Sequence, residues 1–411
     1  MKSNVFSFHI KKQGPASSRL GVLETPHGVI KTPAFIFCAT KAAMKCLTIE
    51  QLKACDTQII LSNTYHLMLQ PGPEAVRHFG GLQQFTGWHG PMLTDSGGFQ
   101  IFSLGHGSVA DEIKGRRRMG QKTLLKINEE GASFRSYING QEYLLTPEES
   151  IRVQRYLGAD LIVVLDECTP YHVDKSYTKA SMERSHRWAL RSLSAYKKED
   201  NGSQKLYGIV QGGTYPDLRK ESCDFVNNHS FFGHAIGGSL GANKQEMYDV
   251  VALTMSLLSK DRPVHLLGIG GIRDIFEGVL QGIDTFDCVH PTRIARHGGA
   301  LVKPWNRSHD LKREHINLRN SQYRLDNNPI ESDCGCATCQ NYTRGYLHHL
   351  FKIEEILAFT LVSQHNAYFM NNLMKMIRNA LETDSLMEVY NIWCQNMQES
   401  QLNVSNTVSC S

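Results

Sequence analysis

Thr146-Pro147-Glu148-Glu149-Ser150-Ile151-Arg152-Val153-Gln154-Arg155-Tyr156-Leu157-Gly158-Ala159-Asp160-Leu161-Ile162-Val163-Val164-Leu165-Asp166 is the stretch that decides the fold. Thr146 with Glu149 three residues on fits a capping box, and Pro147 occupies the first helical position, where its missing N–H costs nothing. Gly158 then stops the helix. Leu161–Leu165, the longest purely aliphatic run in the chain, follows as a strand and ends on a carboxylate, Asp166. Outward from here the same grammar recurs. Apolar runs end at Ser62-Asn63, Asp95, Gln211, Gly237-Gly238, Gly268 and Asp287, and Thr48-x-x-Gln51 is a second capping box. Strands alternating with helices imply parallel β/α units, and seven or eight such units imply an α/β chain closed into a TIM-like (β/α)8 barrel.

Two regions break the period. Between Asp95 and Asp166 the gap is too long for one unit; it holds Arg116-Arg117-Arg118, then Phe134–Ile138 and Gln141–Leu145 joined by Asn139-Gly140. Asn-Gly between alternating segments is a strong hairpin signal, so an inserted β-ribbon near 105–146, close to the barrel mouth, is expected. From Val5–Ile10 through Phe35 the chain reads as antiparallel strands closing the barrel bottom. The domain expectation is a catalytic barrel over 1–325, a zinc-binding subdomain with C-terminal helices over 326–394, and a polar tail over 395–411.

Composition narrows the class. Of 411 residues, 41% are hydrophobic and 20% charged, which excludes a largely disordered chain. Mean hydropathy is −0.33, and no window approaches the roughly 20 apolar residues of a membrane span. Met1–Lys12 lacks the apolar core of a secretory signal. Eleven cysteines, an odd number, argue against a disulfide framework and for a reducing, cytoplasmic setting. Net charge is only +4, but His290–Arg324 carries eight Lys/Arg against Asp310 and Glu314, so one basic face for a polyanion is expected.

In barrel enzymes the chemistry sits at the C-terminal ends of strands. The residues there are Asn63, Asp95, Asp166, Gln211, Gly237, Gly238, Gly268 and Asp287, with no Lys for a Schiff base and no His cluster for a catalytic metal. Such a set suits acid–base work or displacement at a sugar carbon. Any one strand-end Asp is equally well a loop cap or an ion-pair partner; three together point to a site. In Asp95-Ser96-Gly97-Gly98-Phe99-Gln100, the paired glycines permit a tight turn with free N–H groups, and Phe99 offers a face to a planar ring. Cys334-x-Cys336-x-x-Cys339 has the spacing of zinc ligands. His348, His349 and His365 all follow, and spacing alone does not choose the fourth ligand. Four protein ligands would make the metal structural.

These residues, with Asn63-Thr64-Tyr65-His66, Asp166-Glu167-Cys168-Thr169-Pro170, Val210-Gln211-Gly212-Gly213 and Phe286-Asp287-Cys288-Val289-His290-Pro291-Thr292-Arg293, closely resemble the tRNA-guanine transglycosylases of bacterial type, in order from about Phe6 to Ile377. The resemblance implies exchange of the wobble guanine of GUN-anticodon tRNAs for a 7-deazaguanine, in queuosine formation, with structural zinc and no organic cofactor. It implies Asp287 as nucleophile and Asp95 as general acid/base. Asp166, Gln211 and Gly238 would read the base, with Ser96 and Cys168 beside them and Phe99 and Leu267 sandwiching the ring. Arg293 and Arg296 would contact the anticodon loop, and His365 would complete the zinc set. A homodimer is also implied. The chain departs from the bacterial pattern at Ser239–Asn243, which is a residue shorter and lacks an acid. It departs again at His265, where Tyr is common, and at Phe99 and Leu267. The alternative function is a non-catalytic tRNA-binding partner subunit, against which the presence of both Asp287 and Asp95 argues.

Overall fold

A computed structural model of the chain describes residues 6–105, 124–306 and 313–394. Arg116–Lys122, Arg307, Lys312 and the 395–411 tail lie outside the described residues.

The deciding stretch folds as a helix and then a strand. Thr146 Oγ1 accepts from the Glu149 N–H, and the Glu149 carboxylate goes to Arg152 (2.8 and 2.7 Å) instead of completing the capping box. The helix Pro147–Leu157 ends at Gly158 in the left-handed region, and β10 (Leu161–Val163), shorter than the aliphatic run, enters the sheet. That sheet is a closed parallel barrel. In chain order its strands are β4 (Ala34–Cys38), β5 (Ile60–Ser62), β6 (Met92–Thr94), β10, β11 (Lys205–Val210), β12 (Gly233–Ile236), β13 (Val264–Leu266) and β14 (Thr285–Cys288). Closure comes from β4, which pairs in parallel with β14 on one side and β5 on the other.

The strand β4 corrects the N-terminal expectation. The antiparallel part is β1 (Ser7–Gln13), β2 (Arg19–Thr25) and β3 (Gly28–Thr32), and it stops before Phe35, which already belongs to the barrel. The break falls at Thr32-Pro33, where proline removes the N–H that would continue the antiparallel ladder. The three-stranded meander caps the bottom as expected. From β2, Arg19 reaches the buried Asp284 just below β14 (Nε to Oδ1 3.0 Å) and the carbonyl oxygen of Arg262 just below β13 (2.9 Å). Desolvating this ion pair is expensive, and the pairing is stable because each remaining polar atom also finds a partner, Asp284 accepting from the Val264 N–H at 2.7 Å.

The insertion is a three-stranded antiparallel sheet rather than a two-stranded ribbon: β7 (Leu124–Ile127), β8 (Ala132–Arg135) and β9 (Glu142–Leu145). Asn139-Gly140 does turn β8 into β9, with Gly140 at φ +73°. The sheet lies by the mouth: Phe134 packs on Tyr65 just past β5, and the Tyr137 hydroxyl is 3.0 Å from His66 Nδ1.

After β14 the chain makes a short helix, His290–Ala295, then β15 (Gly299–Leu301) paired with β16 (His315–Asn317). The 26-residue helix Leu357–Glu382 packs across them, burying Leu361, Val362, His365, Asn366 and Phe369. Asn366 alone ties three segments together, accepting from the Leu301 N–H (2.9 Å) and donating to Pro291 and Gly299 carbonyls (2.8 and 3.0 Å). Among the described residues no helix is long and apolar enough to cross a membrane.

Candidate functional site

At the C-terminal ends of neighbouring strands the barrel collects Asp95 (after β6), Asp166 (after β10), Gln211 (after β11), Gly237-Gly238 (after β12), Leu267-Gly268 (after β13) and Asp287 (in β14). All but Leu267, which only the resemblance implied, were anticipated from the sequence as strand-end residues.

Asp95 is held by donors on both oxygens. Thr64 N–H donates to Oδ1 (2.8 Å), and Gln100 Nε2 (2.8 Å) and Asn63 Nδ2 donate to Oδ2. Those donors favour the carboxylate, but burial outweighs them, the negative charge of Asp287 adds to it, and the pKa rises to about 6. Asp166 behaves alike: burial raises it to about 7, against donation from Gln211 Nε2 (2.5 Å) and Ser96 Oγ (3.4 Å), with the Asp95 charge adding to the rise. Asp287 accepts from the Gly268 backbone N–H at Oδ1 (2.8 Å), while among the described residues its Oδ2 finds the Cys38 thiol at 3.6 Å.

The glycines make these approaches possible. A Cβ on Gly98 would lie 2.6 Å from the Asp166 carbonyl oxygen. Gly238, at φ +76°, would place a Cβ 2.5 Å from Gln211 Oε1. Leu267 flanks the same wall, 3.5 Å from where a Gly237 Cβ would stand. Cys168 lies here too; burial, then the Asp166 charge, push its thiol up to about 12, so it stays protonated near neutral pH. Phe99 is half exposed at the mouth, on the first turn of the helix Gly98–Gly105. Arg293 is exposed on the helix His290–Ala295, and Arg296 caps its C-terminal end with Nη1 on the Thr292 carbonyl (2.7 Å), so both follow Asp287 directly.

Sequence reading missed three contributors. Cys38 ends β4, an apolar run Ala34–Phe37 that the same strand-end logic selects once β4 is recognised. Arg219 is fully buried behind the Gly237-Gly238 turn, donating to the Gly213 (2.7 Å), Gly237 (3.0 Å) and Ser239 (3.2 Å) carbonyls, and a lone helical Arg gives no signal of this. Glu246 folds back from its helix to accept from the Ala242 N–H (2.7 Å), so the short Ser239–Asn243 loop takes a carboxylate from outside itself.

Cys334, Cys336, Cys339 and His365 form one buried cluster whose ligand atoms all lie within 4.8 Å of one another. The three sulfurs stand 3.7, 3.6 and 3.3 Å from His365 Nδ1. Bonds of about 2.3 Å to sulfur and about 2.0 Å to nitrogen give tetrahedral edges of roughly this length, so the donor set fits Zn2+. His365 Nε2 sits 2.8 Å from the Leu301 carbonyl oxygen, which fixes its proton there and leaves Nδ1 free as ligand. Of the other two histidines the sequence left open, His348 turns to the Leu318 carbonyl (Nδ1 to O 2.8 Å) and His349 is exposed.

The family model for queuine tRNA-ribosyltransferase matches residues 15–399. A queuine tRNA-ribosyltransferase of Roseiflexus sp. (strain RS-1) is 45% identical over 387 residues, covering 91% of this chain and 96% of its own length. Those of Caldanaerobacter subterraneus subsp. tengcongensis and Protochlamydia amoebophila are also 45% identical, covering 92% and 91% of this chain and 94% and 95% of their own. With the closed barrel and the Cys3His cluster in place, the chain belongs to the queuine tRNA-ribosyltransferase family, the pentosyltransferases that include the bacterial tRNA-guanine transglycosylases.

Proposed function

We propose that the chain exchanges the wobble guanine of GUN-anticodon tRNAs for a 7-deazaguanine by double displacement at the ribose anomeric carbon. Asp287 attacks that carbon, the bond to guanine breaks, and its electron pair leaves with the base, which takes a proton from Asp95. A carboxyl with pKa about 6 is protonated often enough near neutrality to give that proton and basic enough to recover one from the incoming base. Attack of the new base on the Asp287 ester then restores the enzyme, and two inversions retain configuration.

The observation that carries this reading is the meeting of three strand-end carboxylates at one barrel mouth, each with its own partners. Asp95 and Asp166 have pKa values raised by desolvation, to about 6 and about 7, and Asp287 is held through Oδ1 by the Gly268 backbone N–H. A carboxyl that keeps its proton near neutrality suits the acid's part. Asp166, Gln211 and the Gly238 backbone read the donor/acceptor edge of a guanine-like base, Ser96 and Cys168 line that wall, and Phe99 and Leu267 cover the ring faces. An analogue without that edge would strand buried polar atoms. The base must leave its stack to enter a barrel mouth, which costs least in an anticodon loop, with Arg293 and Arg296 taking the phosphates.

The cluster of Cys334, Cys336, Cys339 and His365 would hold a structural zinc that anchors the 333–340 loop to the helix Leu357–Glu382 and, through Asn366, to the segment following Asp287. The incoming base is the aminomethyl-deazaguanine precursor or queuine, the short Ser239–Asn243 loop favouring the bulkier one. A homodimer is proposed with the stacked Tyr342 and Tyr346 (centroids 5.5 Å apart) at its contact, and a cytoplasmic setting with tRNA as partner.

The test is incorporation of labelled guanine into tRNA, with both deazaguanines competing. Asp287→Asn should abolish exchange and the denaturation-resistant enzyme–tRNA adduct while tRNA still binds. An adduct formed by this variant would move the nucleophile elsewhere, and a clear preference for the precursor would defeat the queuine assignment.

A further inference from the structure

In the parallel pair β13–β14, His265 lies beside Thr285, one step below Asp287 on the same face. Its ring is fully buried. Nδ1 is 2.9 Å from Thr285 Oγ1, and Nε2 is 3.2 Å from Asp287 Oδ1. That second contact has the distance of a hydrogen bond without its alignment, and Nε2 has no other partner among the described residues. Such bonds at catalytic groups are commonly loose until substrate closes the site.

The two ends of the ring decide its tautomer. An unprotonated Nε2 would aim its lone pair at a carboxylate, so the proton belongs on Nε2. In the neutral ring Nδ1 then accepts, and Thr285 supplies a hydroxyl that can donate to it. Oδ1 of Asp287 thus meets two N–H groups, His265 Nε2–H and Gly268 N–H. Among the described residues Oδ2 meets only the Cys38 thiol at 3.6 Å, a weak donor that burial and the Asp287 charge keep protonated.

We propose that His265 is a positioning residue for Asp287: with Thr285 donating to Nδ1, its Nε2–H clamps Oδ1 together with the Gly268 N–H and leaves Oδ2 as the oxygen that attacks the ribose. The proposal rests on the reading of Asp287 as nucleophile. In the step it serves, Oδ2 bonds to the anomeric carbon, that carbon's bond to guanine breaks, the electron pair goes to the base, and the proton comes from Asp95. As the ester forms, Oδ1 becomes a carbonyl oxygen and keeps both donors, so the clamp holds the ester for the second attack.

Two experiments test this. In single-turnover assays of adduct formation at saturating tRNA, His265→Leu should lower the rate constant on the order of 10- to 100-fold, the scale of a misplaced reacting group, with tRNA and guanine affinities unchanged. His265→Gln should recover most of the loss, because its amide nitrogen reaches the same place. A wild-type rate in His265→Leu, beside an inactive Asp287→Asn, would overturn the clamp and leave the nucleophile standing. An adduct in Asp287→Asn would overturn both. Independently of any variant's folding, 15N spectra of histidine-labelled wild type should show the His265 proton on Nε2 and an accepting Nδ1, the signal assigned by its loss in His265→Gln. A proton on Nδ1 would overturn the proposal.

Discussion

Asp166→Asn should make the fold more stable, by an amount that grows with pH. Asp166 is buried, and its pKa stands at about 7 against an ordinary 3.8. That is roughly three decades in proton affinity, and at about 1.4 kcal/mol per decade it amounts to on the order of 4 kcal/mol. The sign follows from which state holds the proton. Below the unfolded value both states are protonated and the residue costs nothing. As pH rises from about 4 to about 7, the unfolded chain ionises first, so the folded state loses stability through that window and levels off above it. Asparagine has the same shape and no ionisation. Its oxygen can accept from Gln211 Nε2, and its amide can donate to Ser96 Oγ, so no buried polar atom is orphaned. Asp95, also raised, is present in both proteins and largely cancels. Urea-unfolding midpoints of the two proteins, compared at steps across that pH range with zinc in the buffer, should coincide at the acid end and separate by a few kcal/mol at the alkaline end. The variant should at the same time lose guanine binding. A gap that is constant, or that closes as pH rises, would refute the claim that burial raises the Asp166 pKa.

Gly98→Ala should lower thermal stability by about 1–3 kcal/mol and weaken guanine binding more than tRNA binding, because the added carbon meets a backbone oxygen of Asp166 that cannot swing aside; calorimetry with guanine reads both. Gly238→Ala adds a left-handed backbone cost of about 1–2 kcal/mol to displacement of Gln211, so the guanine dissociation constant should rise roughly 10- to 100-fold. Cys336→Ser should release zinc and lower the melting temperature while the adduct rate per folded molecule survives, as measured by metal content, melting and single turnover. Arg293→Ala should weaken tRNA binding and reduce the slope of log affinity against log salt by about one, read by filter binding over a salt series.

Much of this was legible along the chain because β/α units carry local marks. A cap, a stop and an apolar run ending in a polar residue lie within some twenty residues at 146–166, and barrel closure places every such ending at one mouth. The same locality explains the failures. The strand β4 follows the antiparallel meander after a single proline, and its membership in the barrel depends on pairing with β14, some 250 residues away. The strand β7 joins the inserted sheet across an irregular register that no alternation announces.

The chain order alone therefore determined the barrel, the strand-end carboxylates and glycines, the three zinc-spaced cysteines and the family resemblance, since each depends on residue type at short spacing. Only the tertiary structure brought His365, which the resemblance implied and spacing left open, up to the sulfurs, and it alone decided why Gly98 must be glycine, that Arg219 and Glu246 brace the Ser239–Asn243 loop, and that His265 lies against Asp287. Those facts are distances between atoms on different strands and helices. Packing sets them, and no spacing along one segment encodes them.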